Sequence, residues 1–412
     1  MYRHRFSFVL LAVIALLASV SVHAQEVEDT IRIKTRVVFL DALVKDKKTN
    51  LPISNLPQEN FEVLDNGKPR PISYFTREGQ ARKPLALILA LDLREDGAGR
   101  FLKEPEILKA MENELAKLPP GDEVAIMAMN IGEDDQPIWL SEFTNDRTKV
   151  AAALMRVQQM CENPAQALAE AQAAAQNQKA AENSEAITNP KEVLSTETIK
   201  GKNGATITRK TMRDGSVSVE RVSKDGKMTV DIGEVYDLSA AVRDATHKAQ
   251  TLRPNSQVSL VWVSDGIVPI FFEDRDATEE IIIRDNVIFN SLTVELRTLF
   301  KFLLPVGKPV AGWLGLSLYG SAKHLAQRSG GEAVKVGRVK DYGSGLSRII
   351  GNLTARYSLG FTLAEDENDD GRMHQLEVRV QAKDEKGKKR KLQVSSRQGY
   401  YMAYPPTITQ KQ

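Results

Sequence analysis

A continuous apolar run, PLALILALD at residues 84–92, places the strongest constraint on the fold. A strand that alternates apolar and polar residues has one face in water, whereas an uninterrupted apolar run is typical of a strand covered on both faces. A second such run, VSLVWVSDG, occupies residues 258–266. The runs lead into Asp92 and Asp265. Because helical segments alternate with such strands, residues 83–356 predict a doubly wound α/β domain with a mostly parallel sheet.

Segments with the apolar spacing of helices account for much of this domain. They lie at residues 104–118, 145–160, 235–252, 319–331 and 344–357. Helices that connect parallel strands cover the sheet, so we expect a helical layer on each face. The whole chain has 412 residues, which is too long for one ordinary core and predicts two or three domains.

The two ends of the chain predict β-structure. Residues 31–80 are rich in β-branched residues and hold an Asn-Gly pair at 66–67, the strongest short-range hairpin signal. Residues 357–402 contain three further strand-like segments. Each piece is too small to bury a core alone. We therefore expect 25–82 and 357–412 to pack together as an accessory β-sandwich-like subdomain.

An insertion at residues 163–232 interrupts the alternation of strands and helices. Its first part is rich in alanine and glutamine and predicts a helix. Two-residue turn signals then recur at a regular spacing, as Asn203-Gly204, Asp214-Gly215 and Asp225-Gly226. Such turns join antiparallel strands, so this part predicts a meander of β-hairpins. A disordered spacer is the alternative.

Residues 1–24 have the order of a secretory signal peptide: a basic start, an apolar run and small residues before Gln25. A membrane anchor is the alternative, but the apolar run is shorter than a spanning helix. We expect cleavage after Ala24, export to the periplasm or the cell exterior, and no membrane span in the mature chain.

The single cysteine, Cys161, excludes a disulfide within the chain. A net charge of +2 gives no reason to expect a nucleic-acid partner.

The order of several motifs resembles a known family. TRVVFLDALVKD and FEVLDNGKPRPISYF come first, followed by LALILALD, VSLVWVSDG, HLAQRSGGEAV, ARYSLGFT and SRQGYY. In this order and spacing they are similar to the VWFA-related acidobacterial domain family, which consists of exported proteins with a von Willebrand factor type A-like domain. The resemblance implies a type A-like sheet whose ligand surface lies at the carboxyl ends of the strands. It does not itself give an activity.

Type A domains often bind a divalent ion on that surface, at a metal-ion-dependent adhesion site, and the resemblance implies five ligand positions. These are Asp-x-Ser-x-Ser after the first strand, a Thr at the start of a later helix and an Asp after a later strand. Asp92 and Asp265 match the two aspartates, whereas Arg94 and Asp96 replace the serines and Gly233 replaces the threonine. A guanidinium cannot ligate a metal. We therefore expect a degenerate, empty site in which Arg94 bridges the two matched aspartates.

Two metal alternatives stay open beside the expectation of no cofactor. Asp96 and Glu234 could form a rearranged acidic site for Mg²⁺. A separate segment fits the ligand spacing of a calcium-binding loop. Its oxygen ligands would be Asp366, Asn368, Asp370 and Glu377. Strands rather than helices are predicted on both sides of this segment, which favours an acidic hairpin loop over a Ca²⁺ site.

We interpret the chain as an exported, non-enzymatic module that binds a protein partner with the ligand surface and the insertion at 163–232. A divalent-cation-dependent adhesin is the first alternative. A secreted hydrolase is the second, and it is disfavoured because the sequence has no nucleophile elbow, P-loop or metalloprotease helix. A basic run at 383–391 predicts a solvated hairpin turn, with contact to an anionic surface as the alternative.

Overall fold

The computed structural model describes residues 36–77, 82–93, 98–129, 137–163, 166, 193–212, 217–234, 238–267, 270–294, 312, 315–317, 320–364, 366–367, 369–384 and 386–403. The strands are β1 (Val37–Asp46), β2 (Phe61–Asp65), β3 (Lys68–Arg70), β4 (Tyr74–Thr76), β5 (Leu85–Asp92), β6 (Glu123–Met129), β7 (Ile138–Thr144), β8 (Val193–Lys200), β9 (Thr206–Met212), β10 (Val217–Val222), β11 (Thr229–Glu234), β12 (Gln257–Ser264), β13 (Ile270–Phe271), β14 (Ile288–Val294), β15 (Leu316–Ser317), β16 (Ala333–Val336), β17 (Tyr357–Thr362), β18 (Met373–Val380), β19 (Leu392–Ser396) and β20 (Gly399–Tyr401). The α-helices are α1 (Gly99–Leu102), α2 (Pro105–Leu115), α3 (Arg147–Glu162), α4 (Leu238–Leu252), α5 (Phe272–Arg284), α6 (Ser321–Ser329) and α7 (Tyr342–Thr354). Short 3-10 helices lie at Gln58–Asn60 and Val339–Asp341.

A six-stranded sheet forms the centre of the molecule, in the order β16-β14-β12-β5-β6-β7. The five strands from β16 to β6 are parallel, and β7 pairs antiparallel with β6 at the edge. The two strands predicted from the apolar runs, β5 and β12, are neighbours in the middle of this sheet. The predicted mixed α/β class with a mostly parallel sheet is therefore confirmed.

Helices cover both faces of this sheet, and the side chains of β5 alternate between them. Leu87 and Leu89 pack in one core with α1, α2, α3 and α7. Ile88 and Ala90 pack in the other with α4, α5 and α6. All four side chains are fully buried, and burial of each leucine or isoleucine contributes about 1.5–3 kcal/mol. This two-sided burial is why the strand has no polar residue before Asp92.

The two ends of the chain share two antiparallel sheets. One has the order β19-β1-β17-β4, and the other has the order β20-β18-β2-β3. Each sheet combines strands from before and after the central domain, and their facing side chains form one core. Tyr357, at the start of β17, is fully buried in it. Its hydroxyl donates to the carbonyl of Ile53 and accepts from the amide of Leu56, both at 2.8 Å, which connects the last strands to the first.

The insertion contains an antiparallel meander in which β8, β9, β10 and β11 pair in sequence order. Gly204 and Gly226 lie at two of its turns with φ of +84° and +69°, a left-handed conformation that favours glycine. The third predicted turn, Asp214-Gly215, the alanine-rich stretch after residue 166 and the predicted leader at 1–24 lie outside the described residues. Among the residues that are described, no helix is both long and apolar enough to cross a membrane.

Candidate functional site

Two buried aspartates lie side by side at the centre of the carboxyl edge of the six-stranded sheet. Asp92 is the last residue of β5, and Asp265 follows the last residue of β12. The register pairs Leu91 with Val263, so the two aspartates leave neighbouring strands at nearly the same height. Asp92 is completely buried and Asp265 is 4% exposed.

The strand order changes direction between β5 and β12. The chain leaves β5 toward α1 and α2 on one face of the sheet, and it leaves β12 toward α5 on the opposite face. In an open α/β sheet this divergence forms a crevice outside the strand ends, where ligands bind. Asp92 and Asp265 are therefore at the position in this fold that is best suited to a ligand.

The loop after β12 fixes the carboxylate of Asp265. The Oδ1 atom of Asp265 accepts the amide of Ile267 at 2.9 Å, and the hydroxyl of Ser264 accepts the amide of Gly266 at 2.9 Å. Gly266 has a φ of +93°, which a residue with a side chain rarely adopts. These bonds close a tight turn, and they hold one oxygen of Asp265 against its own backbone.

Tyr342, the first residue of α7, lies behind the two aspartates. It is fully buried, and its hydroxyl donates to the carbonyl of Ser264 at 3.1 Å. Burial, together with the negative charges of Asp265 and Asp92, raises the pKa of Tyr342 above its ordinary value. The phenol therefore keeps its proton at neutral pH and can donate this hydrogen bond to the end of β12.

Arg100 of α1 supplies a positive charge to this region. Its charge opposes the rise in the pKa of Tyr342 that burial and the two aspartates cause. Its guanidinium lies 4.6 Å from the centre of the Phe101 ring, and its Nε is buried without a hydrogen-bond partner in the part of the chain that the structure describes. Arg100 lies eight residues beyond Asp92 and outside the adhesion motif, so no sequence pattern marks it.

Several residues expected at a metal site cannot be placed there. Arg94 and Asp96 lie outside the described residues. Gly233 and Glu234 belong to β11, whereas α4 begins at Leu238. The assignment of Gly233 to the start of the helix is therefore wrong. Among the described residues, no group of three or more His, Cys, Asp or Glu side chains is arranged to hold a metal ion.

The first turn of α4 instead contains Ser239, which takes part in a buried polar cluster. Its hydroxyl donates to Oδ2 of Asp274, in the first turn of α5, at 2.6 Å. Nη2 of Arg209, from β9 of the meander, lies 2.8 Å from the Ser239 hydroxyl and 2.9 Å from the same Asp274 oxygen. All three residues are buried. The hydroxyl at the helix start therefore helps to bind the meander to the central domain.

A second buried ion pair joins the meander to α5. Arg221 of β10 donates to both carboxylate oxygens of Glu273, at 2.9 and 3.1 Å. The side-chain amide of Asn203 donates to the same carboxylate at 2.8 Å. Burial works to raise the pKa of Glu273, but the hydrogen bonds from Arg221 and Asn203 outweigh it and hold the pKa below its ordinary value. The carboxylate is therefore ionised when the meander is docked.

A small apolar core completes this contact. Ile207 of β9 and Val219 of β10 pack against Phe271, the residue before α5, and all three are buried. Each arginine lies two residues after one of these apolar residues on its strand, so it points to the same face of the meander. The meander thus has one face of paired apolar and cationic residues against the start of α5.

The calcium-loop pattern does not assemble a shared site among its described members. Glu377 of β18 is exposed and accepts from Arg379 at 2.8 and 3.0 Å. Asp370 accepts the amide of Arg372 at 2.8 Å. Asp366 belongs to no group of three or more metal-ligating side chains among the described residues, and Asn368 lies outside them. These contacts fit an acidic loop between β17 and β18.

No family model matches this chain, and neither does any curated protein. The solved VWA domain of SpRpn10 is similar over 63% of this chain and 94% of that chain, with 8% identity and a TM-score of 0.32. Proximal thread matrix protein 1 from the mussel byssus is similar over 68% of this chain and 49% of that chain, with 8% identity and a TM-score of 0.31. Three N-terminal domains of the type V pili tip protein Mfa5 from Porphyromonas gingivalis align over 29% of this chain and 20% of that chain, with 15% identity and a TM-score of 0.14.

Proposed function

We propose that this chain is an exported, non-enzymatic binding module of the von Willebrand type A-like kind, which recognises a protein partner at the carboxyl edge of its six-stranded sheet. The observation that carries the proposal is the pair of buried aspartates, Asp92 and Asp265, at the point where the strand order changes direction. The resemblance to the VWFA-related acidobacterial domain family, and export through the segment at 1–24, belong to the same proposal.

The meander supports a macromolecular ligand over a small one. It is attached to α5, whose first turn follows the loop that contains Asp265, so it stands beside the proposed crevice. Its edge strand β8 is exposed at every residue except Ile199. An exposed edge strand can pair with an extended segment of another chain. A partner that contacts both the crevice and β8 would be recognised by two surfaces at once.

The contacts of the described residues favour recognition of the partner without a divalent ion. The hydroxyl of Ser239 is engaged by Asp274 and Arg209, which leaves it poorly placed to ligate a metal. The charge of Arg100 acts on the same region as the two aspartates. At Tyr342 the charge of Arg100 acts against the charges of the two aspartates.

Site-specific photocrosslinking in the cells that produce the protein tests this function. A crosslinking amino acid at Ile267, beside Asp265, and one at Thr198 of β8 report on the two proposed surfaces. The matched control is Asn255, an exposed residue just before β12 at the opposite edge of the sheet. We expect positions 267 and 198 to crosslink to the same protein and position 255 not to do so. Equal crosslinking from 255, or none from 267, would contradict the proposal.

A further inference from the structure

Two lysine-rich turns lie side by side at one end of the β-sandwich. The first follows β1, and the second precedes β19. The amide of Lys47 donates to the carbonyl of Lys391 at 2.9 Å, and Asp46 pairs with Leu392 in the β1–β19 ladder. The guanidinium of Arg390 lies 3.5 Å from the carboxylate of Asp46. We call this surface the lysine tip. It consists of Lys47, Lys48, Lys386, Lys388, Lys389 and Lys391.

The positive charge of the lysine tip is poorly balanced by its acidic neighbours. All six lysines are exposed, and none forms an ion pair with another described residue. Asp384 accepts the amides of Lys386 and Lys388, at 3.0 and 2.8 Å, and thereby closes its turn. Hydrogen bonds from the amides of Lys48 and Thr49 lower the pKa of Asp46. Asp46 and Asp384 both accept backbone amides, Asp46 also lies near Arg390, and the third acidic residue of the two turns, Glu385, lies outside the described residues. The six lysines and Arg390 outnumber these three acidic residues.

An exposed leucine stands among these lysines. Leu51 is 64% exposed, and its carbonyl accepts the amide of Asp46 at 3.0 Å, which places it in the turn that contains Lys47 and Lys48. Asn50 beside it adopts a left-handed conformation with a φ of +58°. No core contact explains an apolar side chain at this position, and water is a poor environment for it.

We propose that the lysine tip docks this protein on the headgroups of an anionic lipid bilayer, with Leu51 entering the interface. Lysine is a compact, hydrated point charge, and clusters of four to eight near a bilayer are attracted by its negative surface potential. An apolar side chain between such lysines adds insertion to electrostatic attraction. This inference does not depend on the proposed protein partner, because the carboxyl edge and the lysine tip belong to different sheets.

Other polyanions fit the tip less well. Single-stranded nucleic acids are bound by aromatic side chains that stack on bases, and neither turn contains an aromatic residue. Acidic protein partners are commonly recognised by arginine, whose planar guanidinium matches a carboxylate. A bilayer takes up an exposed aliphatic side chain beside lysines without needing a shaped pocket, so it uses both the lysines and Leu51.

Vesicle sedimentation tests the proposal with the full chain. We expect stronger binding to vesicles of equimolar phosphatidylcholine and phosphatidylglycerol than to phosphatidylcholine alone. This difference should fall steeply as salt rises from about 0.05 to about 0.5 M. Replacing all six tip lysines by glutamine should weaken partitioning by more than about 100-fold, since each lysine near the surface adds roughly fivefold. Every variant keeps the same N-terminal segment, so the contribution of its apolar run is equal in all of them.

A charge-matched control separates the tip from net charge. The control replaces six exposed lysines elsewhere by glutamine, at Lys103, Lys149, Lys224, Lys323, Lys335 and Lys340. It should bind within about threefold of the wild type. Replacing the tip lysines by arginine should also retain binding. If the control loses as much binding as the tip variant, general charge rather than the tip is responsible, and the proposal fails.

Leu51 gives a second, independent readout. Subtracting the wild-type spectrum from that of the Leu51→Trp variant gives the emission of the new tryptophan. This emission should shift to shorter wavelength when anionic vesicles are added, because the indole leaves water. Leu51→Ser should weaken partitioning by about tenfold while keeping the salt dependence. The proposal is overturned if the indole at position 51 stays in water, or if the tip binds heparin or polyglutamate but not vesicles.

Discussion

Arg221 of β10 and Glu273 of α5 form a buried ion pair that joins the meander to the central domain, with Nη2 and Oε1 2.9 Å apart. Their side chains are 8% and 2% exposed. Two charges taken out of water cost free energy to bury, and removing one of them leaves the other uncompensated. The position of the meander beside the carboxyl edge therefore depends on both residues.

Loss of this pair should release the meander while the central sheet stays folded. We expect Arg221→Met to weaken docking by about 3–5 kcal/mol, because Glu273 remains buried without its cation. Adding Glu273→Met should recover most of the loss, since no charge is then left unpaired.

Hydrogen exchange across 193–212 and 217–234 measures the docking, and exchange in β5 reports on the sheet. Lys227→Met is the control, as Lys227 forms only an exposed 4.0 Å pair with Asp225. Unchanged exchange in Arg221→Met would refute the role of the pair.

Acid should weaken the docking of the meander through Glu273. The pKa of this carboxyl is held below its ordinary value of 4.5 in the folded state. Its contribution to stability is therefore fully present above 4.5 and is lost as the pH falls through the lower folded value. Limited proteolysis of the meander between about pH 7 and about pH 3 should show increasing cleavage at the acid end. Glu273→Gln should be cleaved more readily at neutral pH and should respond less to acid.

The central fold could be predicted from sequence because its signals are local. The apolar run at 84–92 has no polar interruption, and the structure places it in the middle of the sheet with helices on both sides. Gly204 and Gly226 adopt the left-handed conformations that their turn signals require. Pairing between the ends of the chain could not be specified in this way. Val38 pairs with Phe361, more than three hundred residues later in the chain. Alternation of apolar and polar residues along a strand predicts which side of the strand is buried, but it does not predict which strand pairs with it.

The candidate site was predictable in part for the same reason. Asp92 and Asp265 each follow a recognisable strand, so their meeting follows from the order of the strands. The cluster of Arg209, Ser239 and Asp274 combines three segments that no short motif links. One signal was available, because Arg209 lies two residues after Ile207 on a strand and therefore on its apolar face. A cation on an apolar face indicates a buried partner.

Gly330 should be intolerant of substitution, in contrast to Gly351 of α7. It follows α6 with a φ of +79°, and a Cβ there would overlap the backbone of Ser396 in the sandwich. We expect Gly330→Ala to destabilise the protein by more than about 3 kcal/mol, because backbone strain and overlap act together. Gly351→Ala in α7 meets no neighbouring atom and should stabilise it by about 0.5–1 kcal/mol. Thermal melts of the two variants compare them directly, and equal effects would contradict this account.

The pair Asp92 and Asp265 should be insensitive to divalent ions in the wild type and should become sensitive when nearby positive charge is removed. Asp92 and Asp265 are buried at neighbouring strand ends, and the charge of Arg100 acts on the same region. Removing that charge leaves less positive potential around the two carboxylates. We expect Mg²⁺, Mn²⁺, Ca²⁺ or a chelator to leave the wild-type melting temperature unchanged.

Arg100→Gln should lower the melting temperature by about 4 °C or more. Mg²⁺ or Mn²⁺ should restore part of this loss, because an ion that binds the folded state stabilises that state. Arg100→Lys, which keeps the charge, should show no ion response. The double variant Arg94→Ser and Asp96→Ser restores the two serines of the adhesion motif, and its melting temperature should rise with Mg²⁺. A stoichiometric ion in the purified wild type, or a melting temperature that falls with chelator, would contradict recognition without an ion and favour the cation-dependent alternative.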